Sequence, residues 1–106
     1  MKIKYILAAS ILLFLVSCST FKRAEKKFEK GEFDTAIDLY KQALKKDDNP
    51  AQALFSIAES YRLSNRLEIA EPYYKASIDS GYTEDEVFYN YSLSLKANSN
   101  YDKAKE

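Results

Sequence analysis

The fold the sequence predicts is an all-helical solenoid of helix-turn-helix units, and three observations carry that expectation. Compared with itself at an offset of 34 residues, the chain stays in register throughout. Ala24 falls on Ala58 and Ser92, Gly31 on Asn65 and Ser99, Phe33 on Leu67 and Tyr101, and Ala36 on Ala70 and Ala104. Tyr40 likewise falls on Tyr74, Ala43 on Ser77, Leu44 on Ile78, Leu54 on Phe88 and Ile57 on Tyr91. A fixed period of this size marks stacked supersecondary units, each too small to bury its apolar face alone. Composition agrees: beyond residue 17 there are two Pro, two Gly, few valines, and many Ala, Lys, Glu, Leu and Tyr, a mixture that favours helix over sheet. Helix stop and start residues also recur where the period needs them.

Those signals define the elements in order. A first helix over Phe21 to Lys30 ends at Gly31, which takes the left-handed conformation without a Cβ penalty. A second runs from Phe33 to Lys46, with Asp34 in its first turn and Lys45 and Lys46 in its last, a charge order that suits the helix dipole. Asp47-Asp48-Asn49-Pro50 is a loop in which Asn49 is expected to cap, and Pro50 to open, a third helix reaching Ser64. Asn65 tolerates a positive φ and stands in for the turn glycine. A fourth helix spans Leu67 to Ser80 and closes at Gly81. Pro72 costs no hydrogen bond if that helix starts effectively at Ile69, so a late or bent start is expected. Thr83-Glu84-Asp85-Glu86 reads as a capping box opening a fifth helix to about Asn98, and a sixth is expected to start around Tyr101. The result is about two and a half units over residues 18 to 106.

These residues resemble the tetratricopeptide repeat, and the similarity covers essentially residues 19 to 106. Leu54, Ile57, Ala58, Tyr61, Leu67, Ala70, Tyr74, Ser77 and Ile78 match the family pattern in the middle unit. The resemblance implies close helix approach at Ala36, Ala70 and Ala104, with Tyr40 and Tyr74 reaching into the next unit. Asn65 and Ser99 depart from the family's turn glycine, and its proline near a unit's end appears only as the displaced Pro50. Such arrays need about three units and a polar terminal cap. A sixth helix cut off after a few residues therefore makes the chain read as the N-terminal part of a longer protein, or else as a small adaptor.

The first eighteen residues carry a separate signal. Lys2 and Lys4 precede an apolar run from Tyr5 to Val16, followed by Ser17 and Cys18, the one cysteine of the chain. The charged start, the apolar run and a small residue before cysteine at the end of that run read as a bacterial lipoprotein signal peptide over residues 1 to 17, with lipid attached at Cys18. Each buried methylene adds only about 0.8 kcal/mol, so several acyl chains on one residue are what make such an anchor durable. An ordinary secretory peptide and an uncleaved anchor are the competing readings. The run is short for a span of about 20 residues, and the positive N-terminal flank places the repeats outside the cytosol.

Chemistry of catalysis leaves little trace. Setting aside Lys2 and Lys4 leaves 14 basic against 16 acidic side chains, a formal charge of −2, so no basic excess points to nucleic acid. There is no His, no phosphate-cradling glycine-rich loop and no metal-ligand motif, so neither an enzyme nor a cofactor is expected. Asp34 with Asp38, and Glu68 with Glu71, read as solvated helix faces. Asp47-Asp48-Asn49 lacks the later ligands of a calcium loop. Tyr40, Tyr61, Tyr74 and Tyr91 fall on packing positions.

By the same resemblance, another set of positions lines the concave face of the stack: Phe55, Glu59, Arg62 and Leu63 in the second unit, and Tyr89, Asn90, Leu93 and Lys96 in the third. Aromatic residues mixed with an acid and two bases make a peptide-binding groove, because Tyr and Arg anchor partners well once desolvated. The family's carboxylate-clamp variety needs Lys and Asn where this chain has Phe55 and Glu59, which excludes that subtype. The expected role is a lipid-anchored interaction scaffold, with envelope proteins or peptides as partners and the membrane reached through Cys18. Ser19 after the lipidated cysteine implies outer-membrane sorting, with the domain in the periplasm of a Gram-negative envelope. The start of the chain also resembles envelope lipoproteins in which such repeats precede a propeller and an OmpA-like peptidoglycan-binding domain, including components of type IX secretion and gliding machinery. A helical spacer presenting a downstream peptidoglycan-binding or enzymatic domain is the alternative.

Overall fold

The computed structural model describes the backbone of residues 19–105 and the side chains of residues 19–100. Cys18 and the expected signal segment 1–17 lie outside the described residues. Among the described residues, five helices run in order: α1 (Thr20–Glu29), α2 (Phe33–Lys45), α3 (Pro50–Leu63), α4 (Leu67–Asp79) and α5 (Asp85–Lys105). Each packs on the next, so α1 with α2 and α3 with α4 form two helical hairpins, and α5 begins a third unit.

The hairpins are set by where each helix is made to stop. Gly31, Asp47, Asn65 and Gly81 all adopt positive φ, at 76°, 55°, 64° and 102°. Around each, the last turn closes in the same way. Gly31 N–H donates to the Phe28 carbonyl and Glu32 N–H to that of Lys27, at 2.9 and 3.0 Å, and the same pair of bonds forms at Asp47/Asp48, Asn65/Arg66 and Gly81/Tyr82. This double closure is the Schellman arrangement, which satisfies carbonyls that a helix end leaves bare. Gly31 and Asn65 are one 34-residue period apart, as are Asp47 and Gly81, so the repeat is written in backbone chirality as well as in side chains.

The core repeats with the same period. Phe21, Ala24, Ala36 and Tyr40 are buried together between α1 and α2, and the Phe21 and Tyr40 rings meet edge-on at 5.6 Å. One period later, Phe55, Ala58, Ala70 and Tyr74 are buried together between α3 and α4, with the Phe55 and Tyr74 rings 6.1 Å apart. The four alanines have no exposed surface, and their lack of bulk lets paired helices approach closely enough for the aromatic rings to interlock. Tyr61 and Tyr73 add a stacked pair at 5.5 Å across α3 and α4.

Four local expectations are corrected. Asn49 does not cap α3 with its side chain: its backbone is left-handed at φ 49°, and its amide donates to the Asp48 carboxylate at 3.3 Å. Asp48 in turn accepts the Phe21 amide at 3.2 Å, tying this loop to the start of α1. Thr83 does not stand at the cap of α5 as the capping box requires: the helix begins at Asp85, directly after Glu84, and its first turn closes through Val87 N–H to the Glu84 carbonyl at 3.0 Å. Residues 99–105 form no separate sixth helix but continue α5 to Lys105. Ser99 has neither the missing Cβ of Gly31 nor the left-handed tolerance of Asn65, so nothing local interrupts the helix.

The fourth correction concerns Pro72. α4 starts at Leu67, not late, which places Pro72 inside it. The ring removes the N–H that would have met the carbonyl of Glu68. That carbonyl accepts instead from the Asn98 side-chain amide of α5 at 3.3 Å, while the same amide also bonds the Glu71 carboxylate. The defect in α4 is thereby turned into a contact with α5. Asn98→Ala should cost about 1 kcal/mol in the wild type. Pro72→Ala restores the internal bond and should reduce that cost by at least about 0.5 kcal/mol, a coupling read from urea midpoints of the four-member double-mutant cycle.

Candidate functional site

The eight residues expected to line a concave face divide by what their side chains do. Glu59 sits on α3 with only 6% of its surface exposed, and its two oxygens collect four hydrogen bonds. Arg62 donates through Nε and Nη2 at 3.1 and 2.5 Å, one turn along the same helix. Tyr74 on α4 donates its hydroxyl at 2.6 Å. Asn90 on α5 donates its amide at 2.7 Å. Of the eight expected lining residues, the structure brings Glu59, Arg62 and Asn90 together. Their role is corrected: Glu59 and Asn90 are buried, and their polar atoms are occupied within the chain.

Removing a carboxylate from water is costly unless its lone pairs are satisfied by well-placed donors, and here three helices supply them. Burial pushes the Tyr74 phenol well above its ordinary value, and its hydrogen bond to Glu59 and the charge of that group act in the same direction. The Arg62 guanidinium is held more firmly protonated chiefly by its bond to Glu59. The forked contact leaves Arg62 neutralised, and about a third of its side chain reaches solvent.

Phe55 is also corrected. It is 9% exposed, lies against Tyr74, and stacks on Tyr82 of the α4–α5 loop with ring centroids 4.5 Å apart and planes inclined by 13°. The signal that would have placed it inside is its register with Phe21, one period earlier. Tyr82 carries no comparable signal, since the period matches it to Asp48. What remains open to a partner is Leu63, 47% exposed, the exposed Lys96, half-buried Leu93, and Tyr89, 66% exposed. Among the described residues, no group of three or more His, Cys, Asp or Glu is arranged to hold a metal, and no helix is long and apolar enough to cross a membrane.

The raised Tyr74 phenol sets a pH dependence with a definite sign. In the unfolded chain it ionises near 10.0; in the fold it keeps its proton to higher pH. The folded state therefore binds more protons above pH 10, and the stability Tyr74 contributes is complete below that value and is lost as pH rises beyond it. Melting temperatures measured between pH 8 and 11.5 should fall above about pH 10, and Tyr74→Phe should show a shallower decline.

Against known proteins, the chain is 31% identical over 74 residues to Tetratricopeptide repeat protein 8 of Caenorhabditis elegans. That alignment takes in 70% of this chain and 15% of that protein, so the chain spans about 15% of the length of the relative it matches. No family model matches the chain. With two α-hairpins and the start of a third at a 34-residue spacing, this similarity makes the fold a tetratricopeptide-like helical repeat.

Proposed function

We propose that the protein is an interaction scaffold that holds other proteins or peptides along the face formed by α3 and α5, and that it does so from a lipid anchor on the periplasmic side of an outer membrane, as part of an assembly or secretion complex. The observation that carries the reading is that Leu63 on α3 and Lys96 on α5 are exposed and Leu93 on α5 half-buried, on two helices joined by the Glu59–Asn90 bond of a charge network already satisfied within the chain. With Arg62 committed to Glu59, the face offers apolar surface and the Lys96 ammonium. That suits an apolar peptide segment carrying an acidic residue.

The anchor half of the reading rests on the Leu-Val-Ser-Cys tetrapeptide at residues 15 to 18. The helical array starts immediately after it: Ser19 caps α1, its hydroxyl accepting the Lys22 amide at 3.2 Å. A lipid on Cys18 therefore holds α1 at the membrane surface with no intervening linker. Radiolabelled palmitate should enter the wild-type chain expressed in a Gram-negative host and be absent from Cys18→Ser. Equal labelling of both removes the anchor from the proposal.

For the groove, the informative variant is Leu63→Asp with Lys96→Glu, since both residues are solvent-exposed and neither belongs to the Glu59 network. Captured from envelope extract, partners retained by the wild type should be lost by this variant, with unchanged circular dichroism and melting. Hot-spot side chains contribute about 2 kcal/mol or more, roughly thirtyfold in affinity, which a pull-down resolves. Identical capture by both proteins makes the array a spacer and not a binding module.

A further inference from the structure

The first helix carries a charge pattern that folding does not explain. Lys22, Lys26 and Lys30 follow one another at four-residue intervals, which aligns them on one side of α1 and its C-cap, and Arg23 borders the same side. All four are exposed. Among the described residues none of them makes an ion pair, the one such contact from α1 being Lys27 with Glu32 at 3.2 Å. The acids of the helix, Glu25 and Glu29, stand on another side, toward α2: burial raises the Tyr40 phenol above its ordinary value, and the charges of these two carboxylates raise it further. Like charges one turn apart destabilise a helix, and Lys22 and Arg23 in a first turn without an acid oppose the positive end of its dipole.

The same positions are interior in the later units. One period on, Lys22, Arg23, Lys26 and Lys30 become Ser56, Ile57, Ser60 and Ser64, of which Ile57 and Ser60 are buried and the other two half-buried. Ile57 is packed into one cluster with Ala36 and Ala43 of α2, the helix before it. Two periods on, Asn90 and Ser94 of α5 are buried as well. The side of α3 and α5 that is covered in the array is therefore basic at all four positions on α1. A face that had only to meet water could carry both signs, as the chain beyond residue 17 does with 14 basic and 16 acidic side chains.

We infer that this face of α1 is a membrane-contact surface that binds anionic phospholipid headgroups of the bilayer in which the chain is anchored. The inference rests on the anchor reading of residues 1 to 18, which puts lipid directly before Ser19, and Ser19 caps α1. An uncleaved apolar run from Tyr5 to Val16 would put α1 in the same place, so cleavage is not required. Long Lys and Arg stems carry their charge to headgroup phosphates while staying in the polar layer, and a basic cluster next to a membrane anchor is attracted to an anionic leaflet. From Lys22 to Lys30 the stripe runs about 12 Å along the axis. Engaging all of it lays α1 along the bilayer surface, with α2 on its far side, where Phe21 and Ala24 are buried with Ala36 and Tyr40. The contact thus fixes the attitude of the array, which a flexible acyl anchor alone does not.

The test is lysine footprinting of the full chain, purified from a Gram-negative host and mixed with vesicles of phosphatidylcholine alone or of phosphatidylcholine with phosphatidylglycerol. An impermeant acetylating reagent is applied and each lysine is read by mass spectrometry relative to Lys75, exposed on α4. On the mixed vesicles, acetylation of Lys22, Lys26 and Lys30 should fall about fivefold or more, while exposed Lys96 of α5 is unchanged. Salt at about 1 M, which screens charges beyond about 3 Å, should restore it. Lys22→Glu with Lys26→Glu should remove the protection of Lys30 and melt no lower than the wild type, since the change relieves like-charge contacts and suits the dipole; Lys75→Glu should keep it, with Lys96 then as the reference. Flotation separates the two readings. A chain that floats with both kinds of vesicle but shows equal acetylation on both keeps its anchor and overturns the contact surface. A chain that does not float with phosphatidylcholine alone loses the anchor, yet protection on the mixed vesicles still supports the surface. Protection by lipid-free envelope extract and not by mixed vesicles makes an acidic protein the occupant, which also overturns the inference.

Discussion

The Glu59 carboxylate joins three helices that are far apart in sequence, and the geometry of the second half of the array depends on it. An acidic side chain removed from water demands donors, and Arg62, Tyr74 and Asn90 supply four hydrogen bonds from α3, α4 and α5. Each bond has a direction, so the carboxylate fixes the rotation of α4 and α5 about their own axes in a way apolar contact does not. Such a buried ionic cluster is weak evidence for added stability, since desolvation offsets much of the attraction. The directions of its bonds bear on register: Tyr74 and Asn90 reach the same oxygen in the arrangement in which Phe55 stacks on Tyr82 and Ala58 and Ala70 are buried together.

Backbone handedness supplies the other constraint. Four residues with positive φ at two alternating spacings stop α1 to α4 and reverse the chain each time. Two of the four are Gly, which adopts that conformation freely; Asp47 and Asn65 do so at some cost, eased by short polar side chains. At Ser99 the device is missing, and the chain runs straight on. One residue's backbone preference thus separates a third hairpin from a long single helix.

The two ends of the array differ for the same physical reason. On α1, Lys22, Arg23 and Lys26 are exposed where α3 has half-buried Ser56 and buried Ile57 and Ser60. On α5, Tyr89, Leu95 and Phe88 keep the apolar character of an interior position while lying exposed. Repeat arrays bury apolar surface only between neighbouring units.

The sequence by itself determined the helical class, the 34-residue period, the hairpin turns at Gly31, Asn65 and Gly81, and the small-residue seam of Ala36 and Ala70. These are legible because they depend on residue type at fixed spacing, and on backbone preferences that act within a few residues. It also named Glu59, Arg62 and Asn90 as expected lining residues, without their contacts. Tertiary structure decided what those residues do. Whether a glutamate lines a groove or anchors a buried network depends on donors 15 and 31 residues away, and whether Phe55 is surface or core depends on a loop tyrosine with no counterpart in the period. Pro72 is the same lesson: its missing hydrogen bond is visible in the sequence, but the Asn98 amide that serves the bared carbonyl comes from another helix. Local rules fix where helices begin and end, whereas satisfaction of buried polar groups is settled only when distant helices meet.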